Sequence, residues 1–80
     1  MSERLKFVGR LTEEKLKNKK LRLRANGLVR SLRDLLDPFV DPVQIDGEQV
    51  SALAFDLAAC LADLAESDRK VAAIAKALGR

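Results

Sequence analysis

The chain has 80 residues with 15 Lys or Arg and 12 Asp or Glu, a formal net charge of +3. It contains no His, Trp or Tyr and one Cys, which excludes a His general base, a His–Cys metal cluster and an intramolecular disulfide. This length supports one small domain with a marginal core, and a hydrophobic share of 48% is atypical of a disordered chain. We therefore predict a single helical domain over residues 1–80, not an enzyme and without a cofactor.

The first residues and the apolar runs predict where the protein resides. No uninterrupted apolar run follows Met1, so we expect no secretory signal. No segment approaches the roughly 20 apolar residues that span a bilayer, so we expect no membrane partner. A single unpaired Cys is typical of a reducing compartment, and we predict a cytoplasmic protein.

A first helix is predicted from the spacing of apolar residues in the first half of the chain. They recur at gaps of four and three, at Leu21, Ala25, Leu28, Leu32, Leu35 and Phe39. The pattern predicts helix 1 over residues 12–36, because Pro38 disfavours helical geometry in the residue before it. Gly27 does not disturb the apolar phase, and we expect it to permit close approach of the second helix.

The start of helix 1 lies at one of two capping residues. Thr12, followed by two glutamates, is a good N-cap. Ser2 is an earlier candidate, because Phe7 and Leu11 continue the apolar phase. The sequence is therefore compatible with residues 1–11 being helical, extended or disordered.

Residues 37–46 form the predicted connector between the two helices. They contain two prolines and three aspartates, which favour a stiff, structured turn over a flexible linker. Asp46 is a suitable N-cap for a helix that begins at residue 47. The acidic residues here are explained by turns and capping, since a calcium loop would need an oxygen ligand at Phe39 and a glycine at Pro42.

A second helix is predicted over residues 47–78. Its apolar seam repeats at alternating gaps of four and three, through Val50, Ala54, Leu57, Leu61, Leu64, Asp68, Val71, Ala75 and Leu78. Asp68 is the one polar member. Ser67 could cap a new helix, so helix 2 is either continuous or broken near Ser67, and the unbroken phase favours continuity.

Two long helices with a short connector predict an all-α antiparallel hairpin. The simplest register places residue i of helix 1 opposite residue 83 − i of helix 2, since both rise about 1.5 Å per residue. The apolar stripe of helix 2 is wider than one partner helix covers, with Phe55 and Ala62 on a further flank. We therefore predict a homodimer that forms a four-helix bundle, with a three-helix monomer broken near Ser67 as the alternative.

The charge of the chain is uneven, and its basic part is the main candidate binding surface. Residues 1–24 hold nine basic and three acidic side chains, whereas residues 25–80 hold six basic and nine acidic ones. The basic run without acids comprises Lys15, Lys17, Lys19, Lys20, Arg22 and Arg24. Leu16 and Leu23 lie seven residues apart within it, on the side of helix 1 opposite its apolar stripe.

Two functional interpretations and one structural interpretation follow from this run. The leading hypothesis is a non-catalytic interaction or regulatory module that binds a protein partner through Leu16, Leu23 and their basic flanks. The alternative is sequence-tolerant DNA or RNA binding, directed at phosphates because the run has no aromatic residue. The structural interpretation is internal pairing, in which Lys15, Lys17 and Lys20 neutralise Asp68, Glu66 and Asp63.

Two further side chains have a structural interpretation. Cys60 lies at the edge of the helix 2 stripe without a nearby base, as expected of a buried and inert thiol. Asp68 in the seam either begins a new helix after Ser67 or pairs with Lys15, which would fix the register of the hairpin.

Three stretches of the chain carry a weak family resemblance. They are residues 28–38 (LVRSLRDLLDP), 45–48 (IDGE) and 53–58 (LAFDLA). They are similar to small helical proteins of unassigned function from bacterial and Mu-like prophage gene clusters. The likeness covers about half of the chain and carries no catalytic or binding motif.

Overall fold

The protein is a helical hairpin, as predicted. The computed structural model describes residues 2–79, which form helix α1 (Glu3–Leu35), a short 3₁₀ helix (Pro42–Gln44) and helix α2 (Gly47–Ala77). The two long helices pack antiparallel into a rod of 61 × 17 × 16 Å. Neither described helix has the length and apolar composition that crossing a membrane requires.

Helix α1 begins nine residues before the predicted start at residue 12. The Ser2 hydroxyl accepts a hydrogen bond from the Arg4 backbone N–H and caps the helix. Thr12 lies inside the helix, where its hydroxyl donates to the Val8 carbonyl. The Arg4 guanidinium reaches across to the Leu78 carbonyl, and Leu11 is buried, so this first part of α1 packs against the end of α2.

The connector is held by aspartate side chains. Asp37 accepts from the Phe39 backbone N–H at 2.8 Å, and Asp41 accepts from that of Val43 at 2.9 Å. Asp46 caps α2 by accepting from the Gln49 backbone N–H. These bonds replace part of the missing backbone pairing in the turn, as the sequence predicted for a structured connector.

The helix contact follows a strict heptad seam. From Leu11 onward the α1 seam is Leu11, Glu14, Asn18, Leu21, Ala25, Leu28, Leu32 and Leu35, with Phe7, Val8 and Val29 also half-buried. Gly27 is exposed and lies outside this seam, so the prediction that it brings the helices close is wrong. Ala25, which is buried, is the small residue at the contact.

Three of the nine predicted α2 seam positions are replaced by the residue before them, whereas the predicted Ala75 is half-buried beside Ile74. The observed seam is Val50, Leu53, Leu57, Cys60, Leu64, Ser67, Val71, Ile74 and Leu78. Ala54, Leu61 and Asp68, predicted within it, are exposed. Both phases alternate gaps of three and four, but the observed one partly buries Leu53 and Ile74 and leaves the Asp68 side chain half-exposed, where its carboxylate incurs less desolvation.

Helix α2 runs without interruption through Ser67, so the continuous form is the one adopted. Ser67 is only 1% exposed and occupies a seam position. At the far end, Gly79 adopts a left-handed φ of 76°, which ends the helix in a conformation that glycine tolerates best. The helices of the hairpin are thus long, but the core between them is thin: among the described residues, Leu11, Ala25, Cys60 and Leu78 are the fully buried apolar ones.

Candidate interaction surfaces

A polar cluster crosses the seam near the middle of the hairpin. The Asn18 amide donates to the Ser67 hydroxyl at 3.3 Å and to the Asp68 carboxylate at 2.6 Å, and its oxygen accepts from Arg22 Nε at 2.9 Å. Arg22 in turn donates through Nη2 to both Asp68 oxygens. Every member of the cluster therefore has a partner, and the cluster ties α1 to α2.

Asp68 is held ionised by this cluster. The hydrogen bond from Asn18 lowers the pKa of Asp68 most, and the charge and hydrogen bond of Arg22 lower it further, against an opposing desolvation effect. The predicted pairing of Asp68 with Lys15 is wrong, because Asp68 binds Arg22 and Asn18. Asn18 was missed in the sequence, although it lies three residues before Leu21, in phase with the α1 seam.

The main exposed apolar residues of central α1 are Leu16 and Leu23. They lie on the side of α1 away from α2 and are 55% and 63% exposed. The basic residues of the run surround them and are also exposed. We call the surface formed by Leu16, Leu23 and five cations the basic/leucine face; the cations are Lys15, Lys17, Lys19, Lys20 and Arg24.

The basic/leucine face is not neutralised from within. Of the six basic residues of the run, Arg22 alone forms an ion pair within residues 2–79, with Asp68. The predicted pair of Lys17 with Glu66 is absent from this part of the chain, because Glu66 lies 3.7 Å from Lys70 on its own helix. The predicted pair of Lys20 with Asp63 is absent there as well. Five cations are therefore available to an external anion.

Leu5 extends the apolar strip toward the start of α1. It is exposed and precedes Leu16 by 11 residues, which is close to three helical turns. Sequence reasoning missed it because residues 1–11 were not assigned to the helix. Starting α1 at Ser2 would have placed Leu5 on the same side as Leu16 and Leu23.

The connector presents a second exposed apolar group at the opposite end of the hairpin. Phe39 is 97% exposed and Val43 is also largely exposed, although both follow aspartates that fix their backbone. Asp34, Asp37 and Asp41 surround them in sequence. We call Phe39 and Val43 the connector tip. They are an exposed aromatic and an exposed aliphatic side chain with aspartates close to them in the sequence.

The two ends of the rod carry opposite charge. Residues 25–60, which include the connector, hold two basic and six acidic side chains, a net charge of −4. Residues 2–24 and 61–79, at the open end, hold twelve basic and six acidic side chains, a net charge of +6. The basic/leucine face lies within the positive part and the connector tip within the negative part.

Helix α2 has its own exposed apolar residues. Leu61 is 49% exposed beside the seam, and Phe55 is exposed near the start of the helix. Cys60 is buried in the seam, and its thiol donates to the Leu21 carbonyl at 3.4 Å. Within the described residues no group of three or more His, Cys, Asp or Glu side chains is arranged to hold a metal ion.

Comparisons with known proteins give no match: no family model, curated protein or solved structure aligns with this chain. The resemblance to prophage-encoded helical proteins therefore stays a prediction from the sequence. Function is inferred from the surfaces of the hairpin itself.

Proposed function

We propose that the protein is a non-catalytic binding module whose basic/leucine face binds an acidic protein surface. One observation carries the proposal: Leu16 and Leu23 are more than half exposed and surrounded by five cations that have no ion pair within residues 2–79. We further propose that it acts in the cytoplasm, where a lone thiol such as Cys60 stays reduced.

The leucines favour a protein partner over a phosphate backbone. A buried Leu side chain stabilises a complex by about 1.5–3 kcal/mol, and that gain needs an apolar counterpart. Lysines on both sides of the leucines would steer an acidic partner and fix its orientation. Amphipathic helices with leucines at heptad spacing and acidic flanks have this chemistry.

The test uses a defined synthetic partner, an amphipathic helical peptide with leucines on one face and glutamates beside them. Fluorescence anisotropy should show binding that weakens with salt and is lost in Leu16→Ser/Leu23→Ser. Phe55→Ser, at an exposed apolar position on α2, is the control and should bind as the wild type does. Equal binding by wild type and the double leucine variant contradicts the proposal.

Nucleic-acid binding is the second candidate function. The five cations without ion pairs in the described chain support it, because each is available to a phosphate. Arg22 is not among them, since Asp68 already holds it. Such binding would be tolerant of sequence, because contacts to phosphates carry no base information.

We also propose that the hairpin associates with itself, as a homodimer of four helices. Its accessible surface is 6228 Å². A compact monomer of 8.8 kDa exposes about 4,800 Å² on the usual scaling of area with mass. The excess is larger than the roughly 800 Å² that each partner contributes to a standard interface, so the rod has enough surface to spare for a stable dimer.

A further inference from the structure

We propose that the connector tip of a second copy binds the basic/leucine face, and that two hairpins do so reciprocally about a two-fold axis near Gly27. This inference rests on the proposed binding function of the face and names its partner. It commits to one occupant, a second copy of this chain, arranged so that the two α1 helices run antiparallel along their outer sides.

The chemistry of the two surfaces is complementary. The connector tip offers an exposed Phe39 and Val43 next to aspartates, and the basic/leucine face offers Leu16 and Leu23 next to lysines. The net charges of −4 around the connector and +6 at the open end favour an arrangement that places unlike ends together. A parallel arrangement would instead place like ends together, which costs stability.

The spacing along α1 makes the contact reciprocal. Leu16 precedes Gly27 by 11 residues on α1, and α1 ends at Leu35, eight residues after Gly27 and four before Phe39, so an axis at Gly27 directs each Leu16 toward the partner copy's connector tip. Lys20 and Asp34 lie seven residues on either side of Gly27, on the same face of the helix. The same axis therefore pairs each Lys20 with the Asp34 of the other copy, in a closed and self-complementary interface.

Gly27 itself supports a helix crossing at this level. It is exposed, and a Cβ built on it meets no atom within 4 Å, so the packing of the hairpin does not need a glycine there. Glycine destabilises a helix interior relative to alanine. Its absence of a side chain would permit the backbones of two antiparallel α1 helices to approach closely.

The test is the mass of the protein by sedimentation equilibrium at about 50 mM salt, a low ionic strength that leaves charge pairs poorly screened. We expect a dimer, twice the chain mass of 8.8 kDa. Lys20→Glu and Asp34→Lys should each weaken it about tenfold, since each reverses two attractive contacts. The double variant should restore it. Fourteen residues of helix separate the two positions by about 21 Å in one chain, so the rescue has to come from contact between copies.

Gly27→Leu and Phe39→Ser provide independent variants. Both should give monomers with the far-UV circular dichroism of the wild type, because both positions are exposed and neither belongs to the seam. Leu61→Lys, on the exposed side of α2, is the matched control and should remain a dimer.

The outcomes separate this inference from the functions on which it rests. Failure of the double variant to restore the dimer, or loss of the dimer in Leu61→Lys alone, overturns the Gly27 arrangement and leaves self-association standing. A wild-type monomer at every concentration overturns both. The basic/leucine face is judged separately by the acidic peptide, whose binding does not require a dimer.

Discussion

The Arg22 guanidinium lies 2.9 Å from the Asp68 carboxylate and joins α1 to α2 beside the seam. Asn18 connects this ion pair to the buried Ser67 within the seam. Sliding α2 by one heptad would place Asn18 against Cys60 or Ile74 and leave its amide without a polar partner. The cluster therefore selects one register for two helices whose apolar repeats would allow several.

The first prediction concerns Asn18. Asn18→Ala should lower the free energy of unfolding by about 1–2 kcal/mol, because the buried Ser67 hydroxyl loses a hydrogen-bond donor and Asp68 loses another. Urea denaturation followed by circular dichroism measures it. Asn26→Ala is the matched control: it has the same change in helix propensity at an exposed site and should change stability by less than about 0.5 kcal/mol. Equal effects of the two variants on stability would contradict the conclusion that Asn18 selects the register of the hairpin.

The second prediction concerns pH. The pKa of Asp68 is lowered from its ordinary 3.8 in the folded protein, chiefly by the hydrogen bond from Asn18. A lowered pKa means that the contribution to stability is present above pH 3.8 and is lost as the pH falls through the folded value. The stability difference between wild type and Asp68→Asn should therefore be present at pH 7 and shrink below pH 3.8. Asp63→Asn, which removes an exposed carboxylate of the same helix, controls for net charge; a difference that grows in acid contradicts the assignment.

The hairpin could be predicted from the sequence because its apolar period is long and regular. The seam of α2 could be predicted only in part, because Ala54, Leu61 and Asp68 follow the same three–four spacing as the residues that face α1. Periodicity cannot separate two phases that differ by one residue. The cost of burying a carboxylate separates them, and Asn18 opposite Ser67 supplies the compensating polar contact.

The candidate surfaces were predictable where they depend on position along a helix. The placement of Leu16 and Leu23 on the outer side of α1 follows from their spacing relative to the stripe. The exposure of Phe39 was only partly predictable: its spacing continues the apolar phase of α1, whereas Pro38 places it in the connector. The helix ends before it, at Leu35, and in the turn that follows the Asp37 carboxylate accepts a hydrogen bond from the Phe39 backbone N–H.

The third prediction concerns Gly27. Gly27→Ala should raise the free energy of unfolding of the isolated hairpin by roughly 0.5–1 kcal/mol, since alanine favours helix and its methyl group has free space. The measurement is a thermal melt at concentrations where the protein is monomeric. Gly79→Ala should give no such gain, because Gly79 has a φ of 76° that alanine adopts poorly. Destabilisation by Gly27→Ala would show that the glycine serves the hairpin itself.

The fourth prediction compares two leucines of the same helix. Leu11 is 2% exposed in the seam, and Leu11→Ala should cost about 2–5 kcal/mol. Leu16 is more than half exposed on the outer side, and Leu16→Ala should cost less than about 1 kcal/mol. Urea denaturation of the two variants compares the free energy lost by the same Leu→Ala substitution at a buried and at an exposed position. Similar losses of stability would mean that Leu16 is covered in solution. A dimer would cover it, and diluting the protein would then reduce the loss.

The last prediction tests nucleic-acid binding by its salt dependence. If all five cations of the basic/leucine face neutralise phosphates of duplex DNA, the logarithm of the affinity should fall with the logarithm of salt with a slope of about −4.5. Raising salt from about 50 to 200 mM would then weaken binding about 500-fold, which fluorescence anisotropy on mixed-sequence duplexes resolves. Lys19→Gln/Lys20→Gln should reduce the slope by about 2, whereas Leu16→Ser/Leu23→Ser should leave it unchanged. A steep slope that is insensitive to the lysines would place the phosphate contacts elsewhere on the hairpin. The absence of binding at low salt would contradict nucleic-acid binding and favour a protein partner for the five cations.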